Sequence, residues 1–163
     1  MRGNAGKAHT YGVELESDIR ATERLSIQAT AGYLFAVYDK YKNAGGIGVD
    51  ADGHRLLNSP RWSLSGGLTY DVPIEIPGSV RVGLNAQYQT KTYFSALQRP
   101  QDEAPAQTFL NGVVTWQTPD PRWSVVLSGR NLLDSDKPVS STYTPATGVY
   151  YKNYPDPRTW LVT

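Results

Sequence analysis

Apolar and polar residues alternate at period two along most of this chain, which is the pattern of strands with different surroundings on their two faces. Residues 9–20 set Tyr11, Val13, Leu15 and Ile19 against Gly12, Glu14, Glu16, Asp18 and Arg20. After a short polar turn at 21–24, residues 25–38 place Leu25, Ile27, Ala29, Ala31, Tyr33, Phe35 and Val37 on one face. A third strand is predicted at 61–71, with Trp62, Leu64, Gly66, Leu68 and Tyr70 opposite serine, threonine and aspartate. The fourth, at 80–92, alternates most cleanly: Val82, Leu84, Ala86 and Tyr88 against Arg81, Asn85, Gln87, Gln89 and Lys91. At 108–117 the phase is ambiguous, and Leu110, Val114 and Trp116 are assigned to the apolar face. Residues 122–134 read as one strand, with Trp123, Val125, Leu127, Gly129, Asn131 and Leu133 on the apolar face. A last strand occupies 158–163.

The connections alternate as strictly as the strands do. Short turns fall at 21–24, 72–79 and 118–121, and long polar loops at 39–60, 93–107 and 134–157. Short turns at one end and long loops at the other belong to membrane barrels, in which the apolar face meets lipid and the polar face meets a lumen. The predicted fold is therefore all-β, an antiparallel up-and-down meander of about seven strands forming part of a transmembrane β-barrel. Pro-Arg-Trp at 60–62 and 121–123, and Pro-Arg-Thr-Trp at 157–160, each open a strand. A tryptophan there suits the membrane boundary, where the ring is apolar while its N–H stays wet.

Two motifs carry a resemblance. Asn131, Leu132, Leu133 and Asp134, followed after a long loop by Pro157, Arg158, Thr159 and Trp160, resemble the closing strands of TonB-dependent outer-membrane receptors. The resemblance implies that residues 1–163 are the C-terminal segment of a receptor barrel whose plug domain and upstream strands lie outside this sequence. It implies import of a scarce extracellular ligand of the siderophore, cobalamin or glycan class. It also implies partners: outer-membrane lipid, the receptor's own plug domain, and the TonB energy-coupling complex, at the bacterial outer membrane. Three further features bear on extent. The start, MRGNAGKAH, has no apolar segment that would make a signal peptide. Seven strands are odd where bacterial single-chain barrels are even, and six residues at 158–163 fall short of a crossing of about 9–11. A terminal aromatic, expected from the family pattern, is absent.

Composition adds exclusions. A net charge of +1 gives no electrostatic case for nucleic acid, and zero cysteines remove disulfides, thiolate metal sites and a cysteine nucleophile. No apolar run is long enough for a transmembrane helix, and a mean hydropathy of -0.45 is compatible with strands that are apolar on one face only. Asp50, Asp52 and Gly53 begin like a calcium loop but lack the later ligands, so a plain turn is the simpler reading. His54 and His9 have no evident partners for metal binding or catalysis, and no nucleophile elbow is present. No catalytic, cofactor or metal residues are assigned, and no enzyme activity is expected. Glu14, Glu16 and Asp18 share one strand face and are expected in the lumen, paired with Arg20, Arg81, Lys91 or Arg130. Tyr143, Tyr150, Tyr151 and Tyr154 lie in the last loop, either packing it or touching ligand. Two alternatives stay open: a self-contained eight-stranded barrel of structural or adhesive role, and a soluble β-sandwich binding module.

Overall fold

The computed structural model describes residues 6–120 and 122–163. Seven strands form one antiparallel sheet: β1 (Lys7–Arg20), β2 (Leu25–Lys40), β3 (Trp62–Val72), β4 (Ser79–Gln89), β7 (Gln107–Gln117), β8 (Ser124–Arg130) and β11 (Thr159–Val162). Each pairs with its neighbour in the chain order given, so the sheet is a meander without a crossover. Four short strands occupy the long loops: β5 (Thr92–Tyr93) pairs with β6 (Glu103–Ala104), and β9 (Ser140–Thr144) with β10 (Val149–Asn153). Polar loops 93–107 and 134–157 carry these hairpins within what the sequence reads as irregular chain.

Register turns the alternation of each strand into two continuous surfaces. Ile19 faces Ile27, then Leu68, Leu84, Gly112, Gly129 and Trp160, one apolar row across all seven strands. One residue along, Asp18 faces Gln28, Gly67, Asn85 and Asn111, a row with no apolar side chain. Because the side-chain period is two, a slip of one residue anywhere would drop polar groups into the apolar row. The register also settles the ambiguous strand. Leu110, Val114 and Trp116 face Ala86, Val82 and Val80 on the apolar side, leaving Phe109 and Val113 among the polar rows.

The apolar surface is bare. Val13 is 74% exposed, Leu15 67% and Trp160 62%, and among the described residues the buried hydrophobic side chains are confined to Ala36, Tyr38, Ala51 and Ala104. A sandwich would lay a second sheet over this face, and among the described residues the only other sheets are the two loop hairpins. The sandwich reading is thereby not favoured. The self-contained small barrel is also not favoured, since β1 and β11 end the sheet without pairing to each other. Aromatic rings cluster toward the two ends of the apolar face. Tyr11 stacks on Phe35 at 4.9 Å and Tyr33 packs against Trp62 at 5.0 Å near the long-loop end. Tyr70, Trp116 and Trp123 lie near the short-turn end, the Trp116 indole donating to the Pro77 carbonyl. The eight residue steps from Trp62 to Tyr70 span about 26 Å along the strand, close to the ~25 Å apolar band of a membrane barrel.

One strand is shorter than the sequence predicts. β8 stops at Arg130, and Asn131 takes φ +48°, a left-handed conformation that asparagine tolerates. The chain leaves the ladder there, although the Leu132 amide still donates to the Leu110 carbonyl. The Leu132 side chain folds over the glycines of the apolar row, so that a Cβ on Gly129 would come within 2.6 Å of it and 2.8 Å of Trp160. The predicted turn at 118–121 is held by the Asp120 carboxylate accepting from the Arg122 amide; Pro121 itself lies outside the described residues.

The two faces differ in what they tolerate. In the barrel reconstituted in vesicles, Leu84→Arg should lower stability by about 2–4 kcal/mol, the range for arginine on lipid near the midplane. Asn85→Arg, one residue along on the polar face, should cost less than half as much. Urea unfolding of both variants checks the difference.

Candidate functional site

The polar face is the concave one. A trough of about 470 Å³ crosses it, lined by Gln28, Thr69, Asn85, Asn111, Ser128 and Arg130 among others. A second, of about 510 Å³, lies nearer the long-loop end and draws on β3, β4 and β7 and on all three long loops. Among the polar side chains of both, uncharged amides and hydroxyls outnumber charged groups, which suits a wetted wall able to hydrogen-bond without fixing a strong field.

The three long loops interlock into one cap over that end. His54 Nδ1 lies 2.7 Å from the Ala96 carbonyl, Gln98 donates to the Arg55 carbonyl, and the Asn58 amide donates to Tyr93. Lys137 donates to the Ala106 carbonyl at 2.7 Å, tying the third loop to the second. The Arg99 guanidinium lies 5.5 Å from the Tyr143 ring centre, and a hydrogen bond to Tyr150 raises its pKa. Tyr143 and Tyr150 face each other across β9 and β10, rings 4.7 Å apart, so these two pack the loop. Tyr151 and Tyr154 are exposed, at 61% and 58%.

The two motifs at the end of the chain meet in space. The Asn131 side chain is buried; its Nδ2 donates to the carbonyls of Ser135 and Asp156, and its Oδ1 accepts from the Ser135 amide. The Asp134 carboxylate accepts from the Arg158 amide at 2.9 Å. Together they clamp the two ends of the third loop and deliver β11 to β8. Sequence reasoning placed Asn131 and Leu133 on a strand face because the apolar period continued through them. The signal against a strand was the asparagine itself, a residue suited to left-handed turns.

Other residues singled out in the sequence are dispersed. Asp50 and Asp52 do converge, yet the Lys42 ammonium sits between them at 2.6 and 2.7 Å, where a metal ion would have to lie. Its hydrogen bonds hold both carboxylates below their usual range and raise the Lys42 pKa. No group of three or more metal-type side chains occurs among the described residues. His9 lies 2.6 Å from Asp39 and stacks on Phe35 at the rim of the apolar face.

Glu14, Glu16 and Asp18 line the polar face of β1, but the expected ion pairs do not form among the described residues. Arg81 pairs with Asp71, Lys91 with Glu103, Arg20 bonds the Glu23 carbonyl, and Asp18 meets the Gln28 amide at 3.4 Å. For Arg130, topology explains this. β1 and the Arg130 strand are separated by four others, too far for a direct pair.

A single curling sheet, bare and apolar outside, polar inside, with short turns at one end and interlocked loops at the other, defines one wall of an up-and-down membrane barrel. A family model described as "TonB dependent receptor-like, beta-barrel" matches residues 2–132, most of the chain, and the chain belongs to that family. No curated protein sequence matches it. Among solved structures, the ferric yersiniabactin uptake receptor FyuA from Yersinia pestis matches with a TM-score of 0.79 at 19% identity, over 96% of this chain and 23% of that one. The siderophore receptor PiuA from Acinetobacter baumannii matches at 0.73 and 18%, over 95% of this chain and 21% of that one. The ferric preacinetobactin receptor BauA from the same organism matches at 0.69 and 19%, with the same coverages of 95% and 21%. These likenesses establish the fold. The chain spans about a quarter of FyuA and a fifth of the other two.

Two outcomes follow from the loop geometry. Asn131→Ala strands the Ser135 amide and the Asp156 carbonyl in a half-buried site, at roughly 1–3 kcal/mol. Proteolysis of the third loop should accelerate, with Asn131→Asp no milder than Asn131→Ala, because its second carboxylate oxygen would face the Ser135 and Asp156 carbonyls. The Lys42 cluster should be pH-dependent in one direction. A depressed carboxylate pKa stabilises above the unfolded value near 4 and fades as pH falls through the lower folded value. Exchange protection of the Tyr41 and Asn43 amides, which donate to Asp52 and Asp50, should therefore be full above about pH 4 and diminish as the pH falls below it, after correction for intrinsic rates.

Proposed function

We propose that this chain is the C-terminal share of the barrel of an outer-membrane importer, its apolar face in lipid and its polar face around a plug domain. The full receptor captures a scarce extracellular iron chelate at the loop end, and the TonB complex of the inner membrane powers release inward. The observation that carries the reading is the interlocked cap of three loops above a polar trough, on a chain of the TonB-dependent receptor family. The iron-chelate class is favoured over cobalamin or glycan because FyuA and BauA are named for ferric chelates, PiuA for siderophore and FecA for ferric citrate. The residues of this chain contribute a wall and part of a vestibule; no step of bond chemistry is assigned to them, and no nucleic acid is a partner.

Uptake in an iron-starved strain lacking the receptor gene tests this. Restoring the full-length gene should restore accumulation of radiolabelled iron from at least one chelate in a panel of hydroxamates, catecholates and citrate. Accumulation should vanish when the energy-coupling complex is deleted. Iron uptake unchanged by loss of the receptor, or independent of energy coupling, would contradict the reading.

A further inference from the structure

β11 is the strand whose register the alternation specifies least. It carries apolar side chains toward both media, Trp160 and Val162 outward and Leu161 inward, the last 63% exposed. A slip of two residues would keep every side chain on its own face, so the period of two cannot resist it. The clamps at the third loop discriminate weakly as well. Asn131 and Asp134 bond main-chain groups of Ser135, Asp156 and Arg158, and nearly every residue offers the same groups.

One side-chain contact does discriminate. Gly129 pairs with Trp160 and is buried, although Val125 and Leu127 on the same face of β8 are 44% and 41% exposed. The indole ring and Leu132 cover it. A Cβ on Gly129 would meet ring carbons of Trp160 at 2.8 and 3.0 Å and the Leu132 Cδ2 methyl at 2.6 Å, so glycine alone admits both. Val126 and Thr163 exchange both backbone hydrogen bonds. Leu127 with Val162, and Gly129 with Trp160, are therefore the non-hydrogen-bonded pairs, whose side chains approach most closely. β8 has no other glycine. Two residues toward the short turns, Trp160 would face Leu127, whose side chain fills the space that the ring needs. Two residues the other way it would face Asn131, where the chain has left the ladder. An aromatic ring laid over a cross-strand glycine is one of the few devices that pin register without alternation.

We propose that Gly129 is a socket for the Trp160 ring and that seating the ring sets the register of β11. Through β11 it also positions the third loop. A slip of two residues would displace the end of that loop by about 7 Å along the strand. It would pull on the hairpin of β9 and β10 that packs Tyr143 and Tyr150 against Arg99. Trp160 thus has a task beyond marking the membrane boundary: it holds one side of the cap in place, whichever solute the receptor carries.

A disulfide can report the register, since this chain has no cysteine of its own. In an otherwise cysteine-free full-length receptor in outer membranes, Leu127→Cys with Val162→Cys creates a facing pair within disulfide reach. Its rate of oxidation by copper phenanthroline is measured on barrels that show heat-modifiable migration on gels. Gly129→Ala and Trp160→Ala should each slow the cross-link by about threefold, the scale of one cross-strand pair. The double variant should lose no more than either alone, because both changes remove the same contact. Trp62→Ala removes a ring of the same face that packs on Tyr33 and not on a glycine, and Asn131→Ala removes the loop clamp. Both should leave the rate unchanged. Should Gly129→Ala fail to form a barrel, Trp160→Ala carries the test. No cross-link in the starting pair, an unchanged rate in either folded socket variant, additive losses in the double variant, or an equal loss in Trp62→Ala or Asn131→Ala would each overturn the lock.

Discussion

A strand that crosses lipid must find a partner for every backbone N–H and C=O, because no water is there to supply one. Everything in this sheet follows from that requirement. Pairing in unbroken antiparallel ladders satisfies the backbone, and the period of two then sends alternate side chains to opposite media. The two media differ so strongly that register is fixed by side chains rather than by turns. The row from Ile19 to Trp160 holds across seven strands through hairpins of different construction. The Thr22 hydroxyl organises the first turn, and Asp120 the last. In a soluble protein an apolar face of this extent would be a defect; here it is the surface by which the wall is held.

Where the ladder ends, the chain needs other ways to satisfy its backbone, and there the side chains with hydrogen-bonding chemistry gather. Asn131 replaces strand pairing with a side-chain clamp, and Asp134 caps the amide that begins the last strand. Lys42 performs a similar service in the first loop by gathering two carboxylates that themselves accept backbone amides. Loops built this way form a cap rather than loose tethers. The trough beneath it is lined in part by residues from all three.

The sheet was legible in the sequence to within two or three residues at most strand ends, since a two-medium environment imprints itself on every position. Even the ambiguous phase at 108–117 was read correctly from Leu110, Val114 and Trp116. The cap was not legible. Its strands β5, β6, β9 and β10 see solvent or other loops on both sides, so no alternation marks them. Asn131 and Leu133 show the reverse failure: an apolar period that runs past the strand misled, because Leu132 is needed to cover glycines rather than to extend the ladder. The acidic stripe of β1 was placed on the right face, but its partners depend on strand order around the wall, which local pattern does not encode.

The central claim is that alternate residues of one strand face two media, and β4 states it most simply. Nitroxide labels placed singly at residues 80–88 of the full-length receptor in lipid vesicles report collision with oxygen, which dissolves in hydrocarbon, and with a water-soluble nickel chelate. Oxygen accessibility should peak at 82, 84 and 86, and fall at 81, 83, 85 and 87, in step with the apolar row. Accessibility without a period of two, or with the maxima at 83, 85 and 87, would contradict the account.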